Sequence, residues 1–215
     1  MTPPESTRCP RCGTVRAARS LDLCARCLLT AVLAIDPEPF PYQIVAPISE
    51  SASGITYLAQ GAGTARGYVA LTVLNGAVDA DGVLERYQQW KPTLDGIDHP
   101  HIARILDVGL TVEGAPYVAS EYVAGWPLTA LDAHPAIGQE QRRTLGRQLT
   151  EAVEAAHRAG VTHLALDESR IKVSTATGLH ASILGFGKRL IVAGASGTVD
   201  DDRAALARIV GRLST

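Results

Sequence analysis

What the sequence lacks narrows its possible roles first. It has no apolar run of bilayer length: the longest stretch near the N-terminus, residues 28–35, falls far short of the roughly 20 residues a membrane helix needs. Its first residues show neither the basic start nor the small-residue cleavage site of a secretory signal, so a cytoplasmic protein without membrane contact is expected. An excess of one charge is missing too. Twenty Lys and Arg against 22 Asp and Glu leave a formal net charge of −2, which gives no electrostatic reason to expect nucleic acid as a partner. Cysteine is scarce: there are four, all within the first 27 residues.

What is present fits a globular chain. Apolar residues make up 46% and charged residues 20% of 215 positions, enough for one medium domain with a small appendage. The four cysteines, Cys9, Cys12, Cys24 and Cys27, form two C-x2-C pairs separated by eleven residues. Such knuckles can place four thiolates tetrahedrally around one structural zinc ion. Pro10 and Gly13 favour tight turns whose amides face the sulfurs. Two disulfides or packed free thiols are the alternatives, and the missing secretory signal counts against the first.

The domain reading is a zinc ribbon with a short helix over 1–35, a Pro-rich linker over 36–41, and a larger domain over 42–215. In that domain, β-rich runs at 42–47, 55–60, 68–74, 105–110 and 117–122 surround a helix at about 81–94. Leu145, Leu149, Val153 and Ala156 mark one face of a helix over 141–158, which Gly160 stops. Two short strands, 171–174 and 181–184, precede a terminal helix with Leu206, Ile209, Val210 and Leu213 on one side. Asp200, Asp201 and Asp202 at its start favour the helix dipole. The order predicts an α+β fold in two lobes.

Six segments stand in order: Tyr42-Gln-Ile-Val-Ala-Pro-Ile48, Val69-Ala-Leu-Thr-Val-Leu74, the His99-Pro-His-Ile run to Gly109, the run from Tyr117 to Leu128, Ala156-His to His163, and Gly185-Phe-Gly187. Together, in this order and spacing, they resemble bacterial serine/threonine protein kinases, the Tyr117–Leu128 run matching the hinge. The resemblance implies a truncated two-lobed kinase-like fold, with a small lobe at about 42–123 and a partial large lobe at about 124–215. It also implies where the chemistry of phosphoryl transfer would sit. At those positions this chain differs. Ser49 to Gly54 keeps only the last glycine of the phosphate loop, and Glu50 adds negative charge there. Thr72 stands for the phosphate-gripping lysine and Trp90 for its glutamate partner. Ala165 stands for the catalytic base, Asp167 for a lysine, and Arg170 and Gly185 for the two magnesium ligands.

A nucleotide cleft would be formed by Ile48, Ala70, Ser120, Glu121 and Val123, with Lys172 under the base unless a register shift turns it to solvent. On these residues the expectation is a pseudokinase: no enzyme, no use of ATP or magnesium, and action as a scaffold or regulator through another protein or a second copy of itself. The alternative is an atypical ATP-binding serine/threonine kinase-like phosphotransferase with relocated residues such as Glu50, Asp167 and Arg170. A third reading gives the role to the ribbon and its Arg8, Arg11, Arg16, Arg19 and Arg26, a modest basic patch. His157, His163, Trp90 and Trp126 read most simply as packing or loop-anchoring residues. A lower lobe this short should leave the terminal helix face bare and in need of cover.

Overall fold

The computed structural model describes residues 40–61, 67–76 and 78–214. By internal packing the chain divides into Met1–Pro41 and Tyr42–Thr215, and all that follows concerns the second unit.

Five strands build its first sheet: β1 (Tyr42–Ser51), β2 (Gly54–Gly61), β3 (Tyr68–Leu74), β5 (Ile105–Leu110) and β6 (Pro116–Glu121). They lie in the order β1-β2-β3-β6-β5, with every neighbouring pair antiparallel. The turn between β1 and β2 is unusually close to β3. Gly54 has φ +149°, and a side-chain carbon there would stand 2.1 Å from the Val73 carbonyl oxygen, so only glycine fits.

Between β3 and β5, helix α1 (Ala80–Asp95) packs on the sheet through Val83, Tyr87 and Leu94. Asp79 starts it, its carboxylate accepting the Gly82 N–H at 3.1 Å. A second, smaller sheet has the order β4-β9-β8-β7. Its strands are β4 (Ile102–Ala103), β7 (Trp126–Pro127), β8 (Ile171–Ser174) and β9 (His180–Leu184).

Below it lie α2 (Gln139–Arg158), the six-residue α3 (Lys188–Ala193) and α4 (Val199–Leu213). The four-, four- and three-residue spacing of Leu145, Leu149, Val153 and Ala156 does put them on one buried face of α2. A capping box of Thr198 and Asp201 opens α4.

The terminal helix corrects one expectation. Its apolar face is covered within the chain: Leu206, Ile209 and Leu213 are buried, and α4 lies along α2, where the Val210 methyls approach Gly146. Gln139 and Arg212 lock the ends, the first donating to the Ser214 carbonyl at 2.8 Å and the second pairing with Glu168 and Asp132. Leu213→Ala is therefore expected to cost about 2–5 kcal/mol in urea-induced unfolding, as a core truncation does. An unchanged midpoint would place Leu213 outside the core. Among the described residues, no helix is long and apolar enough to cross a membrane.

Candidate functional site

The two sheets and α3 enclose a cleft of about 490 Å³ beneath the β1–β2 turn. Its roof is Ser49, Glu50, Ser51 and Ser53, and its floor comes from the loop 163–170 and the segment after β9. Several residues singled out in the sequence meet here: Glu50, His163, Ala165, Arg170 and Gly185.

The floor loop is held by one carboxylate. Asp202, in the first turn of α4, accepts the backbone N–H of His163 at 2.6 Å and of Leu164 at 2.9 Å, and meets His157 Nε2 at 2.9 Å. Leu164 has φ +65°, the one left-handed non-glycine residue among those described. Such a conformation persists only when its surroundings impose it. His163 is a second anchor. Its Nδ1 accepts the Ala165 N–H, its Nε2 donates to the Leu184 carbonyl at 2.9 Å, and its ring meets Phe186 edge-on at 5.0 Å. Burial pushes this imidazole below its ordinary pKa, so it stays neutral and structural. His157 and His163 thus anchor the loop, as the sequence suggests.

Asp167 caps the short turn Glu168–Arg170, its carboxylate accepting from the Ser169 amide at 2.7 Å and from the Ser169 hydroxyl. Burial pulls this carboxyl upward, but the Ser169 hydrogen bonds and the Arg170 charge outweigh it and hold the pKa below the usual carboxylate value.

The feature that sequence reasoning missed is Lys188. It begins α3 directly after Gly185-Phe186-Gly187, and its ammonium donates to the Thr72 hydroxyl on β3 at 2.9 Å. Thr72 in turn shares a hydrogen bond with Thr56 of β2 at 3.0 Å. A cation therefore stands beside the β3 position from which the resemblance had removed one. Burial first, and then the Arg170 charge, push its pKa down to about 8. Arg86 of α1 fixes α3 in place, donating from Nε to the Ile191 carbonyl at 2.7 Å and from Nη2 to that of Val192 at 3.3 Å. Trp90, one turn further along α1, is half-buried against the core. The only advance signal for Lys188 was a lone lysine next to a glycine-flanked Phe.

The expected base-binding residues do not gather in this cleft. Ala70 and Ser120 are cross-strand partners, the Ser120 hydroxyl donating to the Ala70 carbonyl at 3.4 Å, and Ile48 lies exposed on β1. Glu121 and Val123 line a separate groove of about 880 Å³, where Glu121 pairs with Arg104 at 2.8 Å. Lys172 alternates with the buried Ile171 and Val173 and reaches the Gly125 carbonyl at 3.5 Å. Cys9, Cys12, Cys24 and Cys27 lie outside the described residues.

This geometry can be set beside known proteins. No family model matches the chain. Over 97 residues it is 34% identical to the serine/threonine-protein kinase PknK of Mycobacterium tuberculosis, a match covering 44% of this chain and 9% of that protein. Over 175 residues it is 29% identical to PknE of the same organism, covering 80% of this chain and 29% of the relative. The chain thus spans less than a third of either. The crystal structure of the Mycobacterium tuberculosis PknI kinase domain superposes with a TM-score of 0.63 at 26% identity, covering 81% of this chain and 74% of that domain. This chain has a protein-kinase fold. It is a relative of the bacterial serine/threonine protein kinases.

That kinship overturns two expectations. A chain that is no enzyme, and that uses neither ATP nor magnesium, does not accord with relatives named as serine/threonine protein kinases. The physical reason the residues misled is Lys188, since an empty β3 position does not mean a cleft without a cation. Zinc, expected as the structural cofactor, finds no support: among the described residues no group of three or more His, Cys, Asp or Glu side chains can hold a metal. The two places where the kinase fold implies magnesium ligands do not fit that ion, since Arg170 is a cation and Gly185 has no side chain.

Proposed function

We propose that this kinase-fold unit binds ATP and transfers its γ-phosphoryl group to a serine or threonine hydroxyl, using relocated side chains. The observation that carries this reading is the Lys188 ammonium, 2.9 Å from the Thr72 hydroxyl at the inner end of the cleft. Kinase catalysis consists mainly of positioning phosphates and neutralising charge, and a cation there serves both ends whichever element supplies it. With a pKa of about 8, Lys188 is largely protonated at neutral pH.

Each step then has a side chain of this protein. Lys188 holds a phosphate oxygen, and the Ser51 and Ser53 region of the β1–β2 turn closes over the chain of phosphates. The acceptor oxygen bonds to the γ-phosphorus as the bond from that phosphorus to the β–γ bridging oxygen breaks. The bond's electron pair leaves on ADP. The acceptor's proton passes to Asp167, a floor-loop carboxylate two residues past Ala165 that lies outside the cleft's lining.

The test uses γ-labelled ATP with magnesium present and the full chain. Label should pass to the chain itself or to a generic serine/threonine substrate above a heat-killed control. Lys188→Met should bring it to the control level. Asp167→Asn should do the same while ATP affinity stays within about threefold. Binding without any transfer would remove the phosphotransfer step, and absence of ATP binding would remove the reading altogether.

A further inference from the structure

The charges of the cleft do not balance. Arg170, Lys188 and Arg189 line it against one lining carboxylate, Glu50, and Asp167, outside the lining, adds only a second carboxylate near enough to act on Arg170. None of the ion pairs found among the described residues includes Arg170, Lys188 or Arg189. Lys188 has a neutral hydroxyl for its partner, and the Arg170 charge acts on it as a like charge.

Lys188 is largely withdrawn from water and feels the Arg170 charge, while Arg170 itself is exposed; two like charges acting on one cleft repel. A fold retains such an arrangement at a cost, and an anion placed between the two removes it. The anion that suits this place has several charges and many acceptor oxygens. Arginine offers a planar fork of donors that pairs with two phosphate oxygens at once, and lysine offers a compact charge at the next oxygen. Two unit cations also carry the charge of one divalent ion. Arg170 stands at the very position where the resemblance puts a magnesium-holding asparagine.

We propose that Arg170 and Lys188, assisted by Arg189, grip the triphosphate of a nucleoside triphosphate directly, so that the nucleotide is held whether or not magnesium accompanies it. This rests on the reading of the cleft as an ATP site. It concerns occupancy, and it adds a phosphate-binding role to a residue that the family pattern would count as a lost metal ligand. The cavity of about 490 Å³ falls within the range of small-molecule sites, large enough for the phosphates and the adjoining sugar.

Calorimetric titration of the full chain with ATP, in magnesium and in EDTA, tests it, with adenosine as the phosphate-free control. Wild-type affinity should differ by less than about threefold between the two conditions. Arg170→Asn should weaken ATP binding in EDTA by about tenfold or more, as loss of a charge-assisted bidentate contact does, and leave adenosine unaffected. Arg170→Lys keeps the charge without the fork and should fall between them, which separates phosphate grip from a folding defect. Wild-type protein that binds ATP in magnesium but loses it in EDTA would overturn the inference and leave the ATP site standing. Equal ATP affinity of Arg170→Asn and wild type in EDTA would overturn it as well. If ATP binds in neither condition, the inference and the ATP site fall together.

Discussion

Lys188→Met is expected to make the nucleotide-free protein more stable while removing its hold on ATP. The ammonium is half-buried, feels the Arg170 charge, and has its pKa pushed from an ordinary 10.5 down to about 8. A lysine whose folded pKa lies below its unfolded value opposes folding. Below pH 8 both states carry the charge, and the folded state bears the full cost of hosting it. As pH rises from 8 to 10.5 the folded state sheds its proton first and the cost fades. The shift corresponds to about 3 kcal/mol, discounted to about 2 kcal/mol because the cleft is open to water. Methionine fills a similar volume without charge, and Thr72 keeps its hydrogen bond to Thr56.

Urea unfolding at pH 7 should therefore show the variant ahead of wild type by about 2 kcal/mol, with the gap closing by pH 10.5. ATP affinity should fall by about 10- to 100-fold, the value of a charge-assisted hydrogen bond to phosphate. A variant that is destabilised and still binds ATP would show that Lys188 is a packing residue.

Asp202→Ala should have the largest effect on folding. The Asp202 carboxylate is 1% exposed and serves three donors: two backbone amides of the floor loop and the His157 ring. Removing it leaves those donors buried without acceptors and frees Leu164 from its left-handed conformation. The expected loss is about 3–5 kcal/mol, or roughly 8–15 °C in Tm for a unit of this size. Asp202→Asn keeps one acceptor oxygen and should lose about half as much. Thermal unfolding by circular dichroism reads both. If Asp202→Ala melts within about 2 °C of wild type, the loop is anchored elsewhere.

Much of the scaffold was legible because it obeys local rules. The stretches 68–74, 105–110 and 171–174 are strands with the bounds their composition suggests. Tyr42–Ser51 runs past its apparent end at Pro47, since an edge strand tolerates proline and β2 supplies the pairing out to Ser51. Trp126–Pro127 is a strand only through its pairing with Lys172 and Val173, which nothing within two residues can announce. The short stretch after Gly187 was assigned no element, yet it forms α3, anchored by Arg86 from a helix a hundred residues earlier.

The site was harder to read for the same reason. Aligned positions reveal which side chains are gone from β3, the floor loop and the segment after β9. They do not reveal what has moved in. Lys188 and Thr72 lie 116 residues apart in the chain, and only the folded arrangement brings them together. Glu50, Arg170 and Gly185 were placed in the cleft by the motif order, and the structure puts them there. The face of Leu206, Ile209 and Leu213 was misread because α2 covers it from within.

The Arg86 bridge changes what controls the cleft's cation. A lysine carried on a strand has its backbone fixed by sheet hydrogen bonds on both sides. Lys188 rides on six helical residues between Gly187 and Gly194, both left-handed, and that helix hangs from two carbonyls gripped by Arg86. Helix α1 and the Lys188 ammonium are therefore joined through one side chain. An outward displacement of α1 is expected to pull on α3 and through it on the Lys188–Thr72 contact, which ties the cleft's cation to a helix outside the cleft's lining.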